Sequence, residues 1–128
     1  MFDKCWVSMY NVAMKIVLAG ERPVSWNHFY AGRHWTERHE EVARVRAIVL
    51  SAIGPKVVMF TEPVTIAITA YFSKRALDPD NICAKLYIDA LCGRVLEDDT
   101  YRHVRSVTLV SRVDRKNARV EIEIQPAV

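Results

Sequence analysis

Asp78, Asp80, Asp89, Glu97, Asp98 and Asp99 fall within one short stretch of the chain, with Lys85 among them. Carboxylates crowded together repel one another unless a cation neutralises them. Oxygen-rich clusters of this kind suit hard cations such as Mg²⁺. The same residues also have a plainer reading. Asp78 is a good N-cap, Pro79 falls where a missing N–H costs nothing, and Asp80 sits where a helix dipole favours negative charge. These signals predict a helix running from Pro79 to Leu91. At about 100° per residue, Asp78, Asn81, Lys85 and Asp89 would share one stripe of that helix, and nearly every other side chain on it is apolar. Such a helix is buried, so its polar stripe should face a cleft, because buried charges need partners.

The order Asp78-x-Asp80-Asn81, then Lys85, then Asp89-Ala90-Leu91, then Asp98-Asp99 resembles the RusA-type Holliday junction resolvases, and the resemblance covers roughly residues 15 to 125. These are Mg²⁺-dependent DNA endonucleases, many of them carried by phages and prophages. The resemblance implies that Asp78, Asp80 and Asp99 bind Mg²⁺, for which Mn²⁺ can substitute, with Asp98 beside them as a further ligand. It implies that Lys85 is the catalytic lysine, neutralising charge that builds on the phosphate oxygens. It further implies a homodimer making paired nicks across a four-way DNA junction, two-fold protein symmetry meeting two-fold junction symmetry. One departure stands out. The family places its lysine three residues after the asparagine and its next aspartate seven after. Here Lys85 is four after Asn81 and Asp89 eight after, so one residue is inserted ahead of Lys85.

The elements that would position these residues can be read from periodicity. Lys15 to Ala19 is a short strand candidate, broken by Gly20 and Pro23. Residues 23–35 form a loop that interleaves aromatics with His and Arg, a mixture suited to phosphate contact and base stacking as well as to capping a core. Asn27, Tyr30, Arg33 and His34 are its candidate DNA contacts. Thr36 to Ile53 is the clearest helix, with Thr36 as cap and Val42, Val45, Ile48, Val49, Ala52 and Ile53 as its core face. Arg38, Glu41 and Arg44 should face solvent, with DNA as the minor alternative for the two arginines. Val57 to Phe72 reads as strand, with Pro63 at an edge or bulge and strict alternation from Val64 onward. Lys74 and Arg75 follow it, beside the acidic stretch, where they would hold flanking phosphates or simply be solvated. Val104 to Val113 and Arg119 to Gln125 read as two strands of an antiparallel hairpin about Asp114–Asn117. Arg102 and Arg105 complete the candidate DNA contacts.

These elements predict an α+β fold: one domain, residues 15–128, with a small mixed or antiparallel sheet packed against two main α-helices, and residues 1–14 as an extension of uncertain role. The 128 residues suffice for a core without disulfides. The composition, 51% hydrophobic and 26% charged, is that of a folded globule. A net charge of +3 permits nucleic-acid binding without demanding it. Three scattered cysteines argue against a disulfide framework and for a reducing compartment, and the family resemblance implies the cytoplasm of a bacterium or phage-infected cell. The four histidines show no zinc spacing with them. No apolar run approaches the ~20 residues of a membrane span, and the N-terminus lacks a clean signal-peptide core. Calcium-loop spacing fails, since Cys83 stands where glycine is needed. No phosphate-cradling glycine loop, and hence no nucleotide cofactor, is expected, and the nucleophile-elbow pattern is absent.

Overall fold

The structure, a computed structural model, describes residues 6–10, 13–30, 34–55 and 59–127. Five strands form one mixed sheet: β1 (Trp6–Tyr10), β2 (Ala13–Ala19), β3 (Val64–Phe72), β4 (Val104–Val113) and β5 (Arg119–Pro126). Their spatial order is β1-β2-β5-β3-β4. Three α-helices accompany them: α1 (Trp26–Tyr30), α2 (Trp35–Ile53) and α3 (Ala84–Leu91). A 3₁₀ turn at Pro79–Asn81 precedes α3. The expected α+β architecture, with one sheet and two main helices, is what forms. Residues 6–10, inside the segment read as an extension, pair antiparallel with β2 as the sheet's outer strand.

The alternation in β3 sets the two faces of the sheet. Val64, Ile66, Ile68, Ala70 and Phe72 are buried, while the residues between them are half-buried. Ile66 pairs with Ile124 and Ile68 with Ile122 on β5, which in turn face Met14 and Ile16 on β2. This continuous apolar face meets Val45, Ile48 and Val49 of α2 and Leu86, Tyr87 and Leu91 of α3 in one core. The opposite face is a polar ladder: Lys15 pairs with Glu121 at 3.2 Å, Arg119 with Glu121 at 2.6 Å and with Asp114 at 3.0 Å.

Several expectations need correction. β4 and β5 are not a hairpin, because β3 lies between them. β3 pairs with β5 antiparallel and with β4 parallel. Period-two alternation marks a strand without naming its neighbour, so the short Asp114–Asn117 turn suggested a pairing that the sheet does not make. The strand drawn from Val57 begins only at Val64; residues 56–58 lie outside the described residues. The helix drawn from Pro79 is interrupted. Ile82 leaves it to bridge with Ser25, and the Cys83 N–H donates to the Val24 carbonyl at 3.2 Å, so α3 starts at Ala84. Tertiary backbone pairing thus overrides the local cap signals at Asp78 and Pro79. On α2, Val42 is exposed rather than part of the core. The helix is capped by His34, whose Nδ1 accepts from the Thr36 N–H at 3.2 Å, rather than by Thr36. Gly54, at φ +82°, ends it as expected and donates its N–H to Leu50.

Arg44 does not face away into solvent alone. Its guanidinium donates to Glu21 at 2.7 and 3.2 Å and to Glu41 at 2.6 Å. Glu21 is buried, and it also accepts from the Tyr87 hydroxyl at 2.7 Å. Three segments are tied here: the loop after β2, helix α2 and helix α3. A buried carboxylate is tolerated only when paired and hydrogen-bonded, and Glu21 is both.

Candidate functional site

Helix α3 presents Lys85 and Asp89 on one face, because positions four apart are neighbours on a helix. The Lys85 ammonium lies 3.2 Å from the Asp89 carboxylate. That bond holds the ammonium above its ordinary pKa, and Asp99 adds to the effect. The chain leaves α3 through Cys92 and a tight turn at Gly93, where φ is +91°. It then reaches Asp98 and Asp99, the Asp99 N–H donating to the Asp98 carboxylate at 2.8 Å. Asp99 is exposed, yet its carboxyl is held above the usual carboxylate range. Nearby protein strips away some of its water, and the Asp89 and Asp98 carboxyls share hydrogen bonds with it. Asp89, Asp98 and Asp99 therefore crowd together.

Lys85, Asp89 and Asp99 line an open cleft of about 530 Å³ together with Trp26, Tyr101 and Arg105. Trp26 stacks on Tyr30, ring centroids 5.3 Å apart and nearly parallel, and Arg38 lies over the Tyr30 ring at 5.8 Å. Tyr30 is 50% exposed and Tyr101 75%. Aromatic surface left in water beside cations, on α1 and in the turn before β4, is suited to stacking against flat ligands.

Asp78 and Asp80 take a different place. Both are exposed on or beside the 3₁₀ turn, where Asp78 lines a neighbouring hollow with Arg22, Arg75 and Asn81. Asn81 turns its side-chain oxygen to the Asn27 N–H at 3.3 Å, tying this turn to α1, the short helix that forms within the segment read as an aromatic loop. Among the described residues, the one group of three potential metal ligands within 4.8 Å of one another is Cys92, Asp98 and Asp99. The expected trio of Asp78, Asp80 and Asp99 is not gathered at that spacing. Cys92, which is not among the candidates expected from the sequence, is half-buried. Burial and the acids around it, Asp99 first, push that thiol up. Its position one residue past α3 and six before Asp98 was the available signal. Cys83, by contrast, is a core thiol, pushed up by burial to about 11.

The remaining candidates are scattered. Asn27 contributes its N–H to Asn81. His34 spends Nδ1 on the helix cap, with Thr36 Oγ1 a further 2.7 Å contact. Arg33 lies outside the described residues. Lys74 and Arg75 are exposed on the loop after β3. Arg102 lies 5.9 Å over the Tyr101 ring, and Arg105 projects into the cleft from β4. No helix among the described residues is long and apolar enough to cross a membrane.

Comparison with protein-family models gives no match. Comparison with curated proteins gives none either.

The donor set fits a divalent cation in one respect and departs from it in another. Asp99, whose carboxyl is held above its usual range by lost water and by hydrogen bonds shared with Asp89 and Asp98, is the group a cation would relieve. The thiol of Cys92 is softer than the all-oxygen set that Mg²⁺ prefers.

Proposed function

We propose that the chain is a Mg²⁺-dependent, structure-selective endodeoxyribonuclease that resolves four-way DNA junctions in recombination and repair, acting as a homodimer in the cytoplasm of a bacterium or phage-infected cell. The observation that carries the reading is the cleft where Lys85, Asp89 and Asp99 meet the Trp26–Tyr30 stack, Tyr101 and Arg105. Acids for a cation, a lysine for phosphate charge, and aromatics for bases are the parts a phosphodiesterase acting on unstacked DNA needs. Asp98 and Asp99 would hold the metal, with Asp89 beside them. The metal, when bound, supplies Lewis acidity to the phosphate and a more acidic water. Lys85, held charged by Asp89, balances negative charge at the phosphate oxygens. Trp26 and Tyr30 orient the strand by stacking.

A second reading is a junction- or DNA-binding protein without cleavage. It is favoured by one observation: Asp78 and Asp80 stand apart from the Cys92, Asp98 and Asp99 group. Purified protein incubated with labelled four-way junction and with linear duplex, in Mg²⁺ and in EDTA, separates the two. Paired nicks on the junction in Mg²⁺ alone support the enzyme. Binding in EDTA with no product in Mg²⁺ supports the binder. Neither binding nor product removes both.

A further inference from the structure

A second concentration of charge lies away from the cleft. Lys74 and Arg75, from the loop after β3, and Arg115, from the turn after β4, line an open hollow of about 600 Å³ with Ser73. Arg75 continues into the hollow it shares with Arg22 and Asp78, and Lys116 lines the adjoining one with Arg115, Asp114 and Glu121. Three separate loops thus bring their cations to one end of the sheet. They meet there because β3 and β4 run parallel and both end at this side, where Phe72 faces Val113.

None of Lys74, Arg75, Arg115 and Lys116 has a carboxylate partner among the described residues. The acid of the turn, Asp114, is already engaged: it accepts from the N–H groups of Lys116 and Asn117 at 3.1 Å each and from Arg119 at 3.0 Å. Those bonds close the turn and leave its two cations exposed. They also occupy the N–H groups of Lys116 and Asn117. Unpaired like charges converging from three loops raise the local potential and attract anions. A wide hollow with spread cations suits a chain of phosphates better than one small ligand.

The spacing to the cleft gives the surface its meaning. Arg105 stands near the start of β4 and Arg115 just past its end. At ~3.3 Å per residue the strand separates them by roughly 33 Å, which is about ten base pairs of duplex at ~3.4 Å each. We propose that this end of the sheet is a second phosphate-binding surface, holding the backbone of duplex DNA about ten base pairs from the strand in the cleft. The proposal rests on the DNA reading above and adds a footprint to it.

The test is the paired substitution Arg115→Ala with Lys116→Ala in the full chain. Affinity is measured by fluorescence anisotropy in EDTA, across a salt titration, on junctions with arms of about six and about fifteen base pairs. On long arms the variant should bind about tenfold more weakly, and its log–log salt slope should be shallower by about 1.8, the value for two lost phosphate contacts. On short arms it should match the unsubstituted chain. Arg115→Glu should repeat the pattern more strongly, with an unchanged melting temperature showing that both variants fold. Equal affinity and slope on long arms, or equal loss on both arm lengths, overturns the proposal while the unsubstituted chain still binds and cleaves. An unsubstituted chain with no affinity for any of these DNAs overturns the DNA reading and this surface with it.

Discussion

Replacing Tyr87 by Phe removes one oxygen from the core and should cost more than its size suggests. The hydroxyl donates to Glu21 at 2.7 Å, and Tyr87 is only 1% exposed. Burial and the neighbouring Glu21 carboxylate keep the phenol protonated well above its usual range, so it acts as a donor throughout the ordinary pH range. Hydrogen bonds to charged groups contribute about 1.5–3 kcal/mol. The lower part of that range applies, because Glu21 keeps both Arg44 bonds and Arg44 itself reaches solvent. The expected loss is about 2 kcal/mol, or roughly 6 °C in melting temperature for a domain of this size. Chemical denaturation should show a lower midpoint with an unchanged slope. Glu21→Gln provides the cycle: in that background Tyr87→Phe should cost less, because the charged acceptor is gone. A Tyr87→Phe variant within about 0.5 kcal/mol of the parent would refute the reasoning, showing that water satisfies Glu21.

Other outcomes follow from the cleft. Lys85→Ala should lower junction cleavage at least ~100-fold with little change in junction affinity or melting temperature, as expected for removing a transition-state charge partner; wild-type rates would take Lys85 out of the chemistry. Trp26→Ala should weaken binding of single-stranded DNA by about 1–3 kcal/mol, read by anisotropy, and an unchanged affinity would make the stack purely structural. Asp99 has a raised pKa in the fold, so the native state binds more protons than the unfolded chain as the pH passes up through the carboxylate range, and stability falls there. Mg²⁺ should therefore raise the melting temperature at neutral pH and lose that effect in acid below the carboxylate range; equal shifts at both, or none, would dismiss the crowded acids as its binding site.

How far these features could be read from sequence depended on the range of the interaction. β3 was legible because its burial repeats every second residue, and α2 because five of its apolar positions fall on one face. Both are local patterns. The break before α3 was not legible. Asp78 and Pro79 carry sound helix-start signals, and they do start one 3₁₀ turn, but the bridge between Ile82 and Ser25 comes from a residue far back in the chain. That break changes how the inserted residue ahead of Lys85 reads. With Lys85 one residue into α3, the helix phase is set at Ala84, and the stripe running from Asp78 through Asp89 does not exist as one helical face. Asp89 and Lys85 keep their partnership because their spacing is entirely within α3. Arg44 misled for the opposite reason: its position on α2 looked solvent-facing, and only the loop carrying Glu21 turns it into a buried carboxylate's partner.

The position of β5 has a consequence for how the chain folds. It is the last of the five strands to leave the ribosome, yet it is the middle one, lying between β2 and β3. Met14 pairs with Ile124 across more than a hundred residues of chain. Until β5 arrives, β2 has only β1 as a partner, and β3 can reach only β4. Two incomplete half-sheets, each with a bare apolar edge, must wait for one late insertion that joins them. Such long-range closure folds slowly and leaves edges open to aggregation meanwhile. Nascent chains stalled before Arg119 should therefore be protease-sensitive and chaperone-bound, and resistance should appear in a single step once Pro126 has cleared the exit tunnel.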